Sequence, residues 1–496
     1  MNKIDLSKPT RQAIKGLAII FLQSIRQAIR MFWALIAVVV LQKNILDNKN
    51  LISIVLLIIL ALLIIHTILY YLNFYFYVTE DEFILKKGYL KKKTLSIPLD
   101  RIQSVNTKQN LIQQLLNVLT LEIDTAGTVS KELKIHALEK PYADALHNYL
   151  SNAKSTSTSN ENSEISEASE VDEKLVLSLN PIDLLKIGIS QNHIRTGLII
   201  IAFGSQIFNQ IQDLFEEKAE EYSSELVNFL SESSLALFIF LIIFFLIISV
   251  LFSLFRTVFK YFDFKLLKSK KAFRVKAGLV NKRNVLMPYN KIQELNWETG
   301  PVKQLFGIYN LVFKQAVSGQ NNKAQQLVDA PGCFNNHLEM LKDDLFGEEK
   351  LNNSPKVFTN KYYFRRLWLF IGWLPTLLSA PFLYNEWVYW LAVALWLGAT
   401  AWYSVLILRK RYFRINNQQI RISKGAIEHK WKQMELFKIQ SVEFRQTIFQ
   451  KRRSLASLQL TNASGSMTIP YINESIAKQI YDYLLYHTEI SEKSWM

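Results

Sequence analysis

The chain has 496 residues, half of them apolar and 20% charged, with a formal net charge of +16 and a single cysteine, Cys333. At ~150 residues per domain this length suggests roughly three domains, and one thiol excludes an internal disulfide and a thiolate metal site. The apolar and charged residues fall in separate blocks, which excludes a wholly lipid-embedded carrier and an ordinary cytosolic enzyme; the basic excess sits beside the apolar runs, pointing to membrane topology and anionic lipid rather than nucleic acid.

In chain order, residues 11–30 come first. Ile14, Leu17, Phe21, Ile25 and Ile29 recur at helical spacing, with Gln12, Lys15, Gln23, Arg26 and Arg30 elsewhere. Two readings fit: a helix lying in the membrane interface, or the start of a long tilted first span. Because Arg26 and Arg30 interrupt the apolar run and no small-residue site follows, a cleavable signal is not expected. A spanning helix needs roughly 20 mostly apolar residues. Six segments are candidates: 27–46, 51–72, 194–211, 235–255, 365–384 and 388–408. The loop 212–234 carries seven acids and one base, Lys218, whereas the exits at Lys260–Arg274 and Arg409–Arg414 are basic. The positive-inside rule then puts both termini and all soluble stretches in the cytosol.

Each pair of apolar runs leads into a β-patterned stretch, and the three stretches share one ruler. A glycine is followed 15 residues later by a glutamine and 18 residues after that by a leucine: Gly88, Gln103, Leu121; Gly278, Gln293, Leu311; Gly425, Gln440, Leu458. Such self-similarity marks an array of one unit. Tyr75 and Tyr77, then Phe83–Leu85, read as a hairpin before Gly88; Tyr412, Phe413 and Ile415, then Ile420 and Ile422, repeat it before Gly425. A helical pattern closes each unit: Ala143, Leu146, Leu150; Leu338, Leu341, Leu345; Ile472, Ile476, Ile480, Leu484. Residues 151–174 lack apolar anchors and read as a flexible tether, or as a segment switched by phosphorylation. The expected organisation is 1–72 interfacial helix and first hairpin, 73–150 first domain, 151–180 acidic Ser-rich linker, 181–258 second hairpin, 259–350 second domain, 351–408 third hairpin and 409–490 third domain.

This arrangement resembles the bacterial pleckstrin-homology-like (bPH2) membrane-flanked domains, and the triple array looks like the YdbT type. The residues that carry the resemblance are Gly425, Phe437–Glu443, Gln446, Gln450–Arg453 and Leu455–Leu458 in the third copy, Ile97–Leu99 with Arg101–Val105 in the first, and Met287–Tyr289 with Lys291–Gln293 in the second. Pro98 and Pro288 are replaced by Glu435 in the third copy, and Arg452–Arg453 have no counterpart beside Leu115–Leu116 or Leu305–Phe306. The resemblance implies an integral membrane protein in which three two-helix hairpins alternate with three cytosolic PH-like β domains, each an antiparallel sheet or sandwich with a C-terminal helix. It also implies a multi-pass location in the bacterial cytoplasmic (inner) membrane, and membrane-associated scaffolding or envelope-stress resistance.

For chemistry, the repeated motif is basic–Ile–Gln: Arg101–Gln103, Lys291–Gln293 and Lys438–Gln440. On a strand the isoleucine would face inward, leaving Arg101, Gln103, Lys291, Gln293, Lys438 and Gln440 on one polar strip for a peptide or headgroup; the alternative is a requirement of the fold. Lys451, Arg452 and Arg453 are the remaining candidates for lipid or partner binding. Eleven basic residues, Arg409, Lys410, Arg411, Arg414, Lys430, Lys432, Lys438, Arg445 and Lys451–Arg453, are expected to hold the third domain against anionic bilayer more firmly than the first. His66, inside a span, is a proton-relay candidate or a packed ring. Tyr70, Tyr71, Trp368, Trp373, Trp387, Trp390, Trp402 and Tyr403 read as an interfacial belt. No phosphate loop, zinc helix or nucleophile elbow is present, so neither enzyme activity nor a cofactor or metal is expected. The reading that results is a membrane-anchored adaptor presenting its domains to anionic lipid or an unknown protein partner. The alternative is a transporter or transporter accessory subunit.

Overall fold

The computed structural model describes residues 5–41, 49–125, 133–156, 173–193, 197, 235–316, 327–347, 351–383 and 387–490. The acidic loop 212–234, two thirds of the tether and almost all of segment 194–211 lie outside them. The chain divides into two compact units, one mainly Met1–Lys174 with Leu267–Pro288, the other mainly Leu175–Leu266, Tyr289–Val317 and Ala324–Met496.

Unit one begins with helices α1 (Gly16–Leu41) and α2 (Lys49–Leu72), which pack together. Residues 16–41 form one unbroken helix. The buried face is not the apolar stripe seen in the sequence. Gly16 and Ile19 press on Val118 and Ala137, while Ile14 is 74% and Ile29 54% exposed. Next come β1 (Tyr75–Val78), β2 (Glu82–Lys87) and β3 (Lys93–Pro98), an antiparallel sheet. Phe76, Val78, Phe83 and Leu85 alternate inward, as period-two patterning requires. A 3-10 turn (Leu99–Arg101) leads to β4 (Ile102–Gln109), short helix α3 (Leu111–Leu115), β5 (Val118–Thr125), β6 (Leu133–Glu139) and α4 (Lys140–Thr156). Ala143, Leu146 and Leu150 of α4 close the core over Leu121, Ile123 and Ile135. Fully burying each such side chain contributes roughly 1.5–3 kcal/mol.

The second copy repeats the order: β7 (Lys174–Ser178), α5 (Pro181–Ile189), α6 (Leu235–Tyr261), β8 (Lys265–Lys268), β9 (Ala272–Ala277), β10 (Lys282–Pro288), a turn (Tyr289–Lys291), β11 (Ile292–Thr299), α7 (Pro301–Leu305), β12 (Ile308–Gln315), β13 (Leu327–Phe334) and α8 (Asn335–Phe346). The third comprises β14 (Val357–Phe358), α9 (Tyr362–Trp368), a π turn (Leu369–Trp373), α10 (Leu374–Leu383), α11 (Trp387–Lys410), β15 (Tyr412–Ile415), β16 (Gln419–Lys424), β17 (His429–Glu435), a turn (Leu436–Lys438), β18 (Ser441–Arg445), α12 (Ile448–Lys451), β19 (Leu455–Asn462), β20 (Gly465–Asn473) and α13 (Glu474–Ile490). Strand β7 falls within the stretch read as linker. In α13 the buried face is Ala477 and Leu484; Ile472 belongs to β20 and Ile476 is exposed, contrary to the expected pattern.

The ruler now has a physical meaning. Gly88, Gly278 and Gly425 turn the chain with φ of +97°, +106° and +132°, and a Cβ on each would stand 2.3, 2.2 or 1.9 Å from the carbonyl oxygen of Lys91, Asn281 or Glu428. Only glycine fits there. Gln103 and Gln293 sit where the β4–β5 and β11–β12 ladders slip by one residue, a β-bulge. Leu121, Leu311 and Leu458 follow a second bulge and are wholly buried. Further left-handed positions also recur, at Asn117, Gly307 and Ser454 and at Ala137, Gly332 and Tyr471. Their residue types differ between copies, so no sequence comparison of identities shows them.

Adjacent copies share sheets. In unit one the strand order is β6-β5-β4-β10-β9, and in unit two β13-β12-β11-β17-β16-β15-β14. The second sheet of one copy therefore continues into the first sheet of the next. In each copy a segment earlier in the chain covers the opposite edge: Thr10 bridges Phe76, Leu179 donates to the Phe264 carbonyl, and β14 pairs with β15. Among the described residues three helices are long and apolar enough to cross a membrane, Ser53–Leu72, Ile243–Tyr261 and Trp387–Lys410. The 365–384 candidate is helical from Tyr362 to Leu383 but interrupted by the π turn.

Candidate functional site

The basic–Ile–Gln motif does not form one strip. Its basic residue ends a 3-10 turn, whose three-residue period breaks the strand alternation on which the strip depended. Arg101 is exposed, whereas Lys291 is 2% exposed and Lys438 6%. The Lys438 ammonium donates to the Ile292 carbonyl at 2.7 Å and pairs with Glu435 at 2.7 Å. Ile102, Ile292 and Ile439 are buried as expected. Gln293 is buried, Gln440 is exposed with its backbone N–H donating to the Thr461 carbonyl, and Gln103 lies on β4. These residues serve the corner between sheets.

The seam β11–β17 holds the densest charge in unit two. Trp297 stacks on Trp431 with centroids 5.9 Å apart, and His429 stacks on Trp431 at 3.8 Å. Burial, then the nearby Lys410 and Lys356, push the His429 imidazole down to about 4, so it is neutral beside the Ser423 hydroxyl at 2.6 Å. Glu294, 1% exposed, pairs with Lys314 at 2.5 Å and Lys432 at 3.6 Å. Lys430 bridges Glu298 and Glu428, each at 2.8 Å. Burial, followed by repulsion from Arg411 and Lys430, pushes the Lys424 ammonium below the usual lysine range. A shallow concavity of about 160 Å³ lies over Trp297, Trp431, Lys424 and Lys432. Its lysines are largely committed to glutamates, so it reads first as an internal ion-pair network. A polar chain runs beneath: Gln419 donates to the Phe346 carbonyl, Gln433 to Gln419, and Arg421 to Gln433 and Asn352.

The short helix after the glutamine bulge is different in kind. Each copy shows apolar side chains to the outside there: Leu111 57% and Leu115 87% exposed on α3, Leu305 83% on α7, Ile448 73% and Phe449 75% on α12. The helix is too short to bury a face, and its frame is set from below. Asn110 and Thr447 cap it, and Gln113 and Gln450 reach Thr120 and Ser457 at 2.7 and 2.8 Å. Only the third copy adds exposed cations, Lys451, Arg452 and Arg453. The Arg453 guanidinium stands 4.2 Å over the ring of Tyr362, the first residue of α9. The tip is therefore beside the start of an apolar helical pair.

The bacterial PH domain family matches residues 18–154, 226–331 and 369–488, more than half of the sequence and one match per structural copy. The chain belongs to this family. It is also 25% identical over 428 residues, covering 82% of this chain and 84% of the relative, to the UPF0699 transmembrane protein YdbT of Bacillus subtilis (strain 168). The three copies are bacterial PH domains in a membrane protein.

The eleven basic residues expected to face the bilayer do different jobs. Lys430 and Lys432 are ion-paired in the seam, Lys438 is buried, and Arg445 pairs with Glu443 at 2.7 Å. Arg411 stacks over Tyr363, Arg414 donates to the Leu351 and Asn352 carbonyls, and Lys410 to that of Ile427. Arg409 and Lys451–Arg453 are exposed. The exposed apolar pair Ile448–Phe449 was missed in the sequence because the reading weighed charge alone; two adjacent bulky residues right after a capping threonine were the available signal. His66 packs edge-on to Tyr89 at 5.7 Å. Cys333 is fully buried in β13, where burial pushes its thiol up. Among the described residues no cluster of His, Cys, Asp or Glu is placed to hold a metal.

Proposed function

We propose that this chain is a multi-pass, non-enzymatic adaptor of the bacterial inner membrane, with three two-helix hairpins and its PH domains and both termini in the cytosol. The basic exits and the acidic 212–234 loop support that orientation. With Cys333 replaced by alanine, a cysteine at Glu220 is expected to react with an impermeant label in intact cells. Cysteines at the exposed Lys91, Lys271 and Arg452 should react only after permeabilisation. Labelling of Lys271→Cys in intact cells would reverse the topology.

The observation that carries the lipid-binding part is the α12 tip, where exposed Ile448 and Phe449 adjoin exposed Lys451–Arg453 beside the start of α9. Apolar side chains next to cations suit an anionic leaflet, where each basic residue is worth about 1 kcal/mol. An environment-sensitive fluorophore at position 449 of the full chain in lipid nanodiscs should shift to the blue with anionic lipid and less with zwitterionic lipid. Reversing Lys451, Arg452 and Arg453 to glutamate removes about 3 kcal/mol, roughly a hundredfold in the population held at the surface. High salt should act in the same direction. Equal spectra in both lipids would reject the membrane contact.

A further inference from the structure

Among the described residues, two sheet edges lack the partner that the equivalent edges have. Strand β10 pairs with β4, and β17 with β11. Both seams have one register: four residues past the turn glycine lies opposite six residues past the bulge glutamine. Lys282 faces Gln109, and His429 faces Thr299. The remaining members of these two series are β3 in the first domain and β18 in the third. Among the described residues each is the end strand of a three-stranded sheet. The other outer edges are occupied. The first sheets of the first and third copies are flanked by residues 6–10 and β14, and β6, β13 and β20 meet the chain at or before the start of a helix. Ala13 donates to the Ala137 carbonyl, Gly332 abuts Ile187, and Asn360 donates to the Tyr471 carbonyl.

We propose that β18 of one molecule pairs with β3 of a second copy of this chain, extending between molecules the seam found twice within it. An open edge presents backbone N–H and C=O groups aimed at a further strand. The shared register puts Lys93 opposite Arg445, Thr94 opposite Phe444 and Leu95 opposite Glu443. Lysines at an edge often deter pairing, and Lys91–Lys93 are exposed. Here they do not decide the matter, since β10 carries Lys282 and Arg283 and is paired, with Arg283 facing Lys108. The contact joins unlike edges, so each new copy leaves the same two edges open and the assembly propagates or closes into a ring. This inference is independent of lipid binding.

The test uses full-length protein with Cys333→Ala in native membranes. Lys93→Cys and Arg445→Cys, both exposed positions, are placed on separately tagged chains and co-expressed. Mild oxidation should yield a mixed dimer carrying both tags, with a ladder of larger species when both cysteines are on one chain. The same oxidation applied to Arg283→Cys with Lys108→Cys, a pair already opposed in the structure, supplies the positive control. No mixed dimer while the control pair closes would overturn the proposal, as would closure of the double variant only within its own chain.

Discussion

Replacing Gly425 with alanine is expected to remove on the order of 3 kcal/mol of stability from the third PH domain. The added Cβ would lie 1.9 Å from the Glu428 carbonyl oxygen, on a backbone whose φ is +132°. The obstacle is backbone, so no side-chain rotation relieves it and the turn must open. That shift moves His429 and Lys430, the first residues of β17, and with them the pairing to Thr299 and Glu298. Tryptophan fluorescence suits the measurement, because Trp297 and Trp431 stack across this seam. Gly398→Ala in α11 is the control: nothing lies within 4 Å of its Cβ position. Equal thermal midpoints for the two variants would remove the glycine turn as the basis of the repeat.

Loss of the Glu294 carboxylate should cost about as much. It is 1% exposed, pairs with Lys314 and Lys432, and accepts from the Asn296 amide at 2.8 Å. Without it two lysines, each with 17% of the side chain exposed, face each other. Breaking a buried pair by removing one partner costs about 3–5 kcal/mol, here toward the low end because the lysines still reach water. Lys432 already sits below the usual lysine range because burial outweighs the attraction of Glu294, and it should fall further. Glu294→Gln keeps the shape and should lose nearly as much as Glu294→Ala. Glu294→Leu combined with Lys314→Met and Lys432→Met should recover most of the loss. Denaturant midpoints of the three variants decide this, and an unchanged midpoint in Glu294→Gln would mean that the ion pair is not what holds the seam.

The seam and the turn also divide what was legible from what was not. A positive φ at Gly88, a corner followed by a buried isoleucine at Ile102, and an inward Phe76 are local requirements. Each depends on a few neighbouring residues, so the same residue or the same apolar character returns at the same spacing in every copy, and the family, the repeat and the apolar runs could be read from the chain alone. The polar strip failed because a 3-10 turn, not a strand, carries Arg101, Lys291 and Lys438, and its geometry is decided by how two sheets meet. The pairing of β4 with β10 and of β11 with β17 was invisible for a different reason. Edge pairing is made by backbone groups that every residue possesses, between segments distant in sequence, so no side-chain pattern announces it. Which lysines are committed to glutamates, and which cations are left at the surface, follows from those seams. The sequence determined the unit and its repetition; only the tertiary structure decided how the units join, because that joining is written in backbone hydrogen bonds rather than in residue types.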